Sequence, residues 1–242
     1  MVYLYLVWIV IATIIGGFIP LLYKNIPAAL LVCLYAFTGT FLLGITLGDL
    51  MPEVFKGIGS AAGIMIIFGF FTQYAIQALF PGVEHGTGLG KTGTTNLGFP
   101  ALLAGLSVHA FTGGIPLGLA YTEPAILQSL AMAILVHKLP ESLTLMLLIS
   151  DRKSKRGRNI LILCLFALMT PSGTFLAIAI HKEFLLNLQF INYIMAFVIG
   201  AFLQISTVIL SKADDALHHL KKEKSIAVSL GLMFVIITLW VS

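Results

Sequence analysis

Eight stretches of this chain are apolar for long enough to cross a lipid bilayer, and no other feature constrains the fold as strongly. They lie at about residues 2–22, 28–51, 57–80, 99–121, 124–149, 160–180, 189–211 and 225–241, separated by short runs rich in charge, proline and glycine. A spanning helix needs about 20 mostly apolar residues, so each run can serve as one. Charged residues make up only 10% of the 242 positions, against roughly 25% in a soluble domain. The mean hydropathy of +1.03 agrees. The expected fold is an all-α integral membrane protein, a single transmembrane domain over residues 1–242. The first run has neither a basic leading region nor a small-residue cleavage site, and it is read as a permanent helix. Cys33 and Cys164 stand alone in apolar runs and are read as packing residues, with no disulfide implied.

Lys and Arg set the expected orientation, because they concentrate in cytoplasmic loops. Odd-numbered loops hold Lys24, Lys91, the group Arg152, Lys153, Lys155, Arg156 and Arg158, and then Lys212, Lys221, Lys222 and Lys224. The opposite side has only Lys56 and Lys182. Both termini are therefore expected outside a cell (plasma or inner) membrane. The formal net charge of +4 is accounted for by these loops and needs no nucleic-acid partner.

The third loop, about residues 81–98, is expected to be flexible and cytoplasmic. Its segment GTGLGKTGTT has the look of a phosphate-binding loop, but the pattern requires a glycine five places before Gly90, and His85 stands there. The segment is read as a connector. His85 beside Glu84 has two readings, a cation contact or a solvated loop histidine.

A short internal repeat is more informative. GTFLLG begins at Gly39 in the second run and GAFLQI at Gly200 in the seventh, and fourteen residues after each glycine comes an acid, Glu53 or Asp214. The third and eighth runs then contain GIMIIFG and GLMFVII. Runs two and seven cross in opposite directions, so helices 1–3 and 6–8 are expected to form an inverted repeat around the central pair 4–5. Many secondary transporters have that architecture, with the substrate site near the midplane at the repeat junction.

That central pair carries two histidines at matching depth. His109 falls about ten residues into the fourth helix and His137 about twelve into the fifth, which at a rise of about 1.5 Å per residue puts both near mid-bilayer. Glu141 follows His137 by four residues and shares its face. Pro140 removes a backbone hydrogen bond and is expected to kink the helix, freeing the carbonyl of residue 136 as an oxygen donor. Ionisable groups at this depth mark ion or proton routes, although a membrane histidine can also simply bond to a neighbouring helix. Imidazole with carboxylate suits zinc and related first-row metals.

VHAFTGGIPLGLA followed by VHKLPESLTL resembles the ZIP family of zinc and iron transporters, whose helices four and five carry HNxx[DE]G and HxxPEG. The likeness extends to the eight helices and outside termini, to GDLMPE, to TPSG in helix six and to GAFLQIS in helix seven. It implies movement of Zn²⁺, and of Fe²⁺, Mn²⁺ or Cd²⁺ as further candidates, into the cytosol by alternating access. The divalent ion is substrate, no organic cofactor is expected, and the remaining partners are the bilayer and a second copy in a homodimer.

The chain also departs from the family pattern. The family asparagine falls on Ala110, its helix-four acid on Gly113 and its helix-five glycine on Ser142, while acids of a second metal site fall on Lys138 and Thr170. One metal is therefore expected, held by His109, His137 and Glu141, with water, a carbonyl or Gln204 completing the shell. Lys138 is expected either to pair with Glu141 or to stand where a second cation sits elsewhere.

Asp49 and Glu53 can collect cations at the outer entrance or be ordinary interfacial acids. Asp214, Asp215, His218 and His219 can receive the ion at the cytoplasmic exit or belong to a solvated loop. Two rival readings are an intramembrane metalloenzyme and a ZIP-like scaffold without transport. The first lacks its usual motif, since H-E-x-x-H needs glutamate where Lys138 stands, and the chain is not expected to be an enzyme.

Overall fold

The computed structural model describes residues 1–23, 26–79, 99–150, 155–215 and 221–241. Among them are eight helices long and apolar enough to cross a membrane, in the expected order, and no strand. They are α1 (Val2–Leu22), α2 (Ala28–Ile58), α3 (Ala61–Leu79), α4 (Phe99–Leu119), α5 (Pro124–Ser150), α6 (Arg156–Phe184), α7 (Leu188–Asp215) and α8 (Lys221–Val241). The protein is a multi-pass membrane protein. The expectations for Glu84, His85, His218 and His219, and for loop residues 81–98, lie outside the described residues.

α2 runs to Ile58, seven residues beyond the sequence expectation, and the reason is local. Pro52 has no N–H and its ring crowds the carbonyl four residues back, which ordinarily ends a helix. Here the turn before it widens into a π segment, Thr46–Leu50, and the helix resumes at Met51. Gly59 then stops it with φ +58°, a conformation open to glycine. α6 solves a similar problem differently: its two stretches meet at Leu168, three residues before Pro171, which cannot bond back to Ala167.

The helices pack as two groups. α1 lies on α5 and α4 on α6; α3 lies on α7, and α2 on both α7 and α8. The main contact between the groups runs along α2 and α5. Because α5 is enclosed by neighbours, 72% of its spanning window is buried, against 22% for α3 and for α8, whose outer faces are left to lipid.

Exchanging α1 with α6, α2 with α7, α3 with α8 and α4 with α5 turns the α3–α7 pair into α8–α2 and α4–α6 into α5–α1. The pairing thus follows the inverted repeat, but its residue register is not the one the short sequence match suggests. Gly69 on α3 and Gly231 on α8 occupy like places, each against a phenylalanine carbonyl, Phe197 and Phe37. Gly39 faces Ile209 and Leu210 on α7, whereas Gly200 faces Ile66 and Phe70 on α3.

Small residues bring α4 and α6 close. A Cβ on Gly114 would strike the carbonyl of Thr170, and one on Gly173 that of Phe111. At the same crossing Thr170 Oγ1 donates to Ala110 O and Thr174 Oγ1 to Gly114 O, each at 2.9 Å. Gly114→Ala is expected to destabilise the protein by about 1–3 kcal/mol through overpacking. The check is a lower midpoint of thermal unfolding in detergent; an unchanged midpoint would contradict this account of the crossing.

Candidate metal centre

α4 and α5 run antiparallel and bring His109, His137 and Glu141 together. One ligand atom from each lies within 4.8 Å of the others, and the two imidazoles meet edge to face with centroids 6.1 Å apart. In tetrahedral zinc coordination with bonds of about 2.0–2.1 Å, ligand atoms are about 3.3 Å apart. The widest separation thus exceeds that spacing by no more than about 1.5 Å.

Polar satisfaction singles out the same place. Both ring nitrogens of His137 and Oε1 of Glu141 are buried without a hydrogen-bond partner. Of the seven buried side-chain atoms in this condition among the described residues, three belong to these two residues. A buried unsatisfied polar atom costs about 1–3 kcal/mol, so concentrating three at one point disfavours the fold unless something polar or charged is received there.

The other carboxylate oxygen is occupied. Lys138 Nζ donates to Glu141 Oε2 at 2.6 Å, with the two side chains 4% and 0% exposed. The ammonium also lies 5.4 Å from the centroid of Phe166 on α6, within cation–π range. Of the two roles expected for Lys138, pairing with Glu141 is the one this geometry exhibits.

α5 stays helical through Pro140, which leaves Val136 O without its usual backbone donor. Ser142, at the family's glycine position, turns its hydroxyl back to Lys138 O at 2.8 Å. The space is provided from across the interface, where Gly16 on α1 lies against Ser142 and Leu139.

The two helix-four positions that depart from the family pattern differ in surroundings. Ala110 is fully buried and accepts the bond from Thr170, while a Cβ on Gly113 would meet open space. Gln204 belongs to a different seam: its Nε2 donates to Gln77 Oε1 on α3 at 2.5 Å, and it lines an α3–α7 groove with Tyr74 and Thr207.

The entrance acids separate. Glu53 pairs with Lys56 at 2.9 Å at the end of α2, whereas Asp49, carried on the π segment, accepts a hydrogen bond from Ser129 on α5. Asp214 and Asp215 are the last residues of α7. Sequence reasoning did not find Ser129, nor the bond between Tyr35 and Thr144 at 2.9 Å. A lone serine, threonine or tyrosine carries no periodic signal, and its partner lies on a distant segment.

A family profile described as ZIP zinc transporter matches residues 89–238, more than half of the chain and all of the helices that carry the cluster. The chain belongs to the ZIP zinc transporter family. No curated protein matches it. Membership makes metal transport the general function of this protein, in a family of transporters rather than enzymes.

Proposed function

We propose that this ZIP-family protein carries Zn²⁺ into the cytosol through a single midplane site made by His109, His137 and Glu141. The observation that supports this reading is the coincidence of a buried imidazole without a hydrogen bond, a half-free buried carboxylate and a second, partly buried imidazole in one cluster. Two nitrogens and one oxygen leave a fourth tetrahedral position for water or for Val136 O, and an open position suits an ion that has to be released.

Lys138 weakens the hold further. At an effective dielectric of about 20, a divalent ion about 5 Å from an ammonium is repelled by roughly 7 kcal/mol. The lysine thus offsets part of the attraction of Glu141, so that the site exchanges its ion instead of keeping it. Basic residues on odd-numbered loops favour outside termini, and the two helix groups supply parts that alternate access can move.

The test is flux of Zn²⁺ into proteoliposomes, repeated with Fe²⁺, Mn²⁺ and Cd²⁺. Zinc accumulation that saturates with concentration supports the proposal. Absence of both flux and zinc binding by the folded protein would favour a scaffold without transport.

A further inference from the structure

Among the described residues, two side-chain hydrogen bonds join α2 to α5, and they flank the metal cluster on opposite sides. Toward the face of the membrane with the Gly59–Ser60 turn, Ser129 on α5 donates to the Asp49 carboxylate on α2. Toward the opposite face, the Tyr35 and Thr144 hydroxyls meet at 2.9 Å. Along α5, Ser129 precedes His137 by eight residues and Thr144 follows it by seven, so at about 1.5 Å per residue the bonds lie roughly 12 Å and 10 Å from it. The metal site sits almost midway.

This placement has a mechanical consequence. α2 belongs to one helix group and α5 to the other, and their line of contact is where the groups chiefly meet. Ser129 is fully buried, and Thr144 and Tyr35 nearly so, at 4% and 7% exposure. Both bonds are thus buried within the seam between the groups, one on each side of the cluster. Each is a single hydrogen bond, weak enough net of solvation to break and reform during a transport cycle.

We infer that Asp49–Ser129 and Tyr35–Thr144 are paired clasps between the two helix groups, each holding the metal site closed toward one face of the membrane. The π segment favours this role, since it carries Asp49 on a locally widened turn just ahead of Pro52, and such segments are frequent at functional sites. Two clasps that open alternately keep the cluster from facing both solutions at once. The inference rests on the transport reading and adds the residues that seal the site.

Side-specific thiol labelling tests it in membranes, with Cys33 and Cys164 replaced by serine. Ala133→Cys reports on the buried stretch between Ser129 and His137, and Ala36→Cys on the buried neighbourhood of Tyr35; both alanines are fully buried in the parent. Ser129→Ala is expected to raise labelling of the first reporter several-fold from the Gly59–Ser60 face and to leave the second unchanged. Thr144→Val and Tyr35→Phe should each do the converse from the opposite face. Ser129→Thr and Thr144→Ser, which keep the hydroxyl, should match the parent. Equal rates in all variants would overturn the clasps, as would one variant raising both reporters alike, which signals general loosening. Zinc flux through the parent is scored separately. Its absence alongside face-specific labelling would defeat the transport reading and leave the clasps standing.

Discussion

Replacing His137 by alanine is expected to abolish zinc flux while leaving the protein folded in the membrane. Both ring nitrogens are buried and neither bonds to protein, so the substitution breaks no internal hydrogen bond. It removes two unsatisfied atoms, a gain of about 1–3 kcal/mol each, against a cavity cost of comparable size. The loss therefore falls on metal binding. Changing groups that merely support a metal ligand typically costs 10–100-fold in affinity or activity, so losing a ligand should exceed about 100-fold and bring flux to background. The measurement is zinc uptake by proteoliposomes at matched protein, with the thermal midpoint in detergent as the control for folding. Parent-level flux in this variant would remove His137 from the site.

How much of this was readable before the structure depends on the kind of signal each residue carries. The spans were legible because lipid imposes length and hydropathy on every helix separately, and the meeting of His109, His137 and Glu141 was legible because imidazole and carboxylate are conspicuous in apolar helices. The end of α2 was not, since Pro52 reads as a stop and nothing in the sequence announces a π segment that carries the helix past it. The repeat register failed for a related reason: glycines at helix crossings are placed by the opposing backbone, as Gly69 is by Phe197, and a short match cannot see that backbone. Gln204 reads in the sequence as a neighbouring polar group able to complete the shell, whereas its amide donates to Gln77 on α3. Ser142 and Gly16 complete the pattern, because the room beside Ser142 is left by a glycine on another helix more than a hundred positions away.

Glu141→Gln is expected to damage stability as well as transport, and comparison with a double variant separates the two effects. In the parent, Lys138 is 3% exposed and its charge is met by Glu141 at 2.6 Å. Removing only the carboxylate charge strands a buried ammonium, and breaking one side of such a pair costs about 3–5 kcal/mol. The unfolding midpoint should fall sharply, and zinc flux should vanish with the anionic ligand. Lys138→Met combined with Glu141→Gln removes both charges. Replacing a buried pair by neutral groups is often neutral or stabilising, so the double variant should recover most of the stability and none of the flux. If it stays as unstable as Glu141→Gln alone, the ion pair is not what the single change disrupts. Lys138→Met alone completes the argument, for it leaves Glu141 without a counterion and a divalent cation as the natural replacement. Zinc should stabilise that variant more than it stabilises the parent, because ligand that binds only the folded state raises stability with affinity. Its flux should nonetheless fall at saturating zinc, because the ammonium that helps expel the ion is gone.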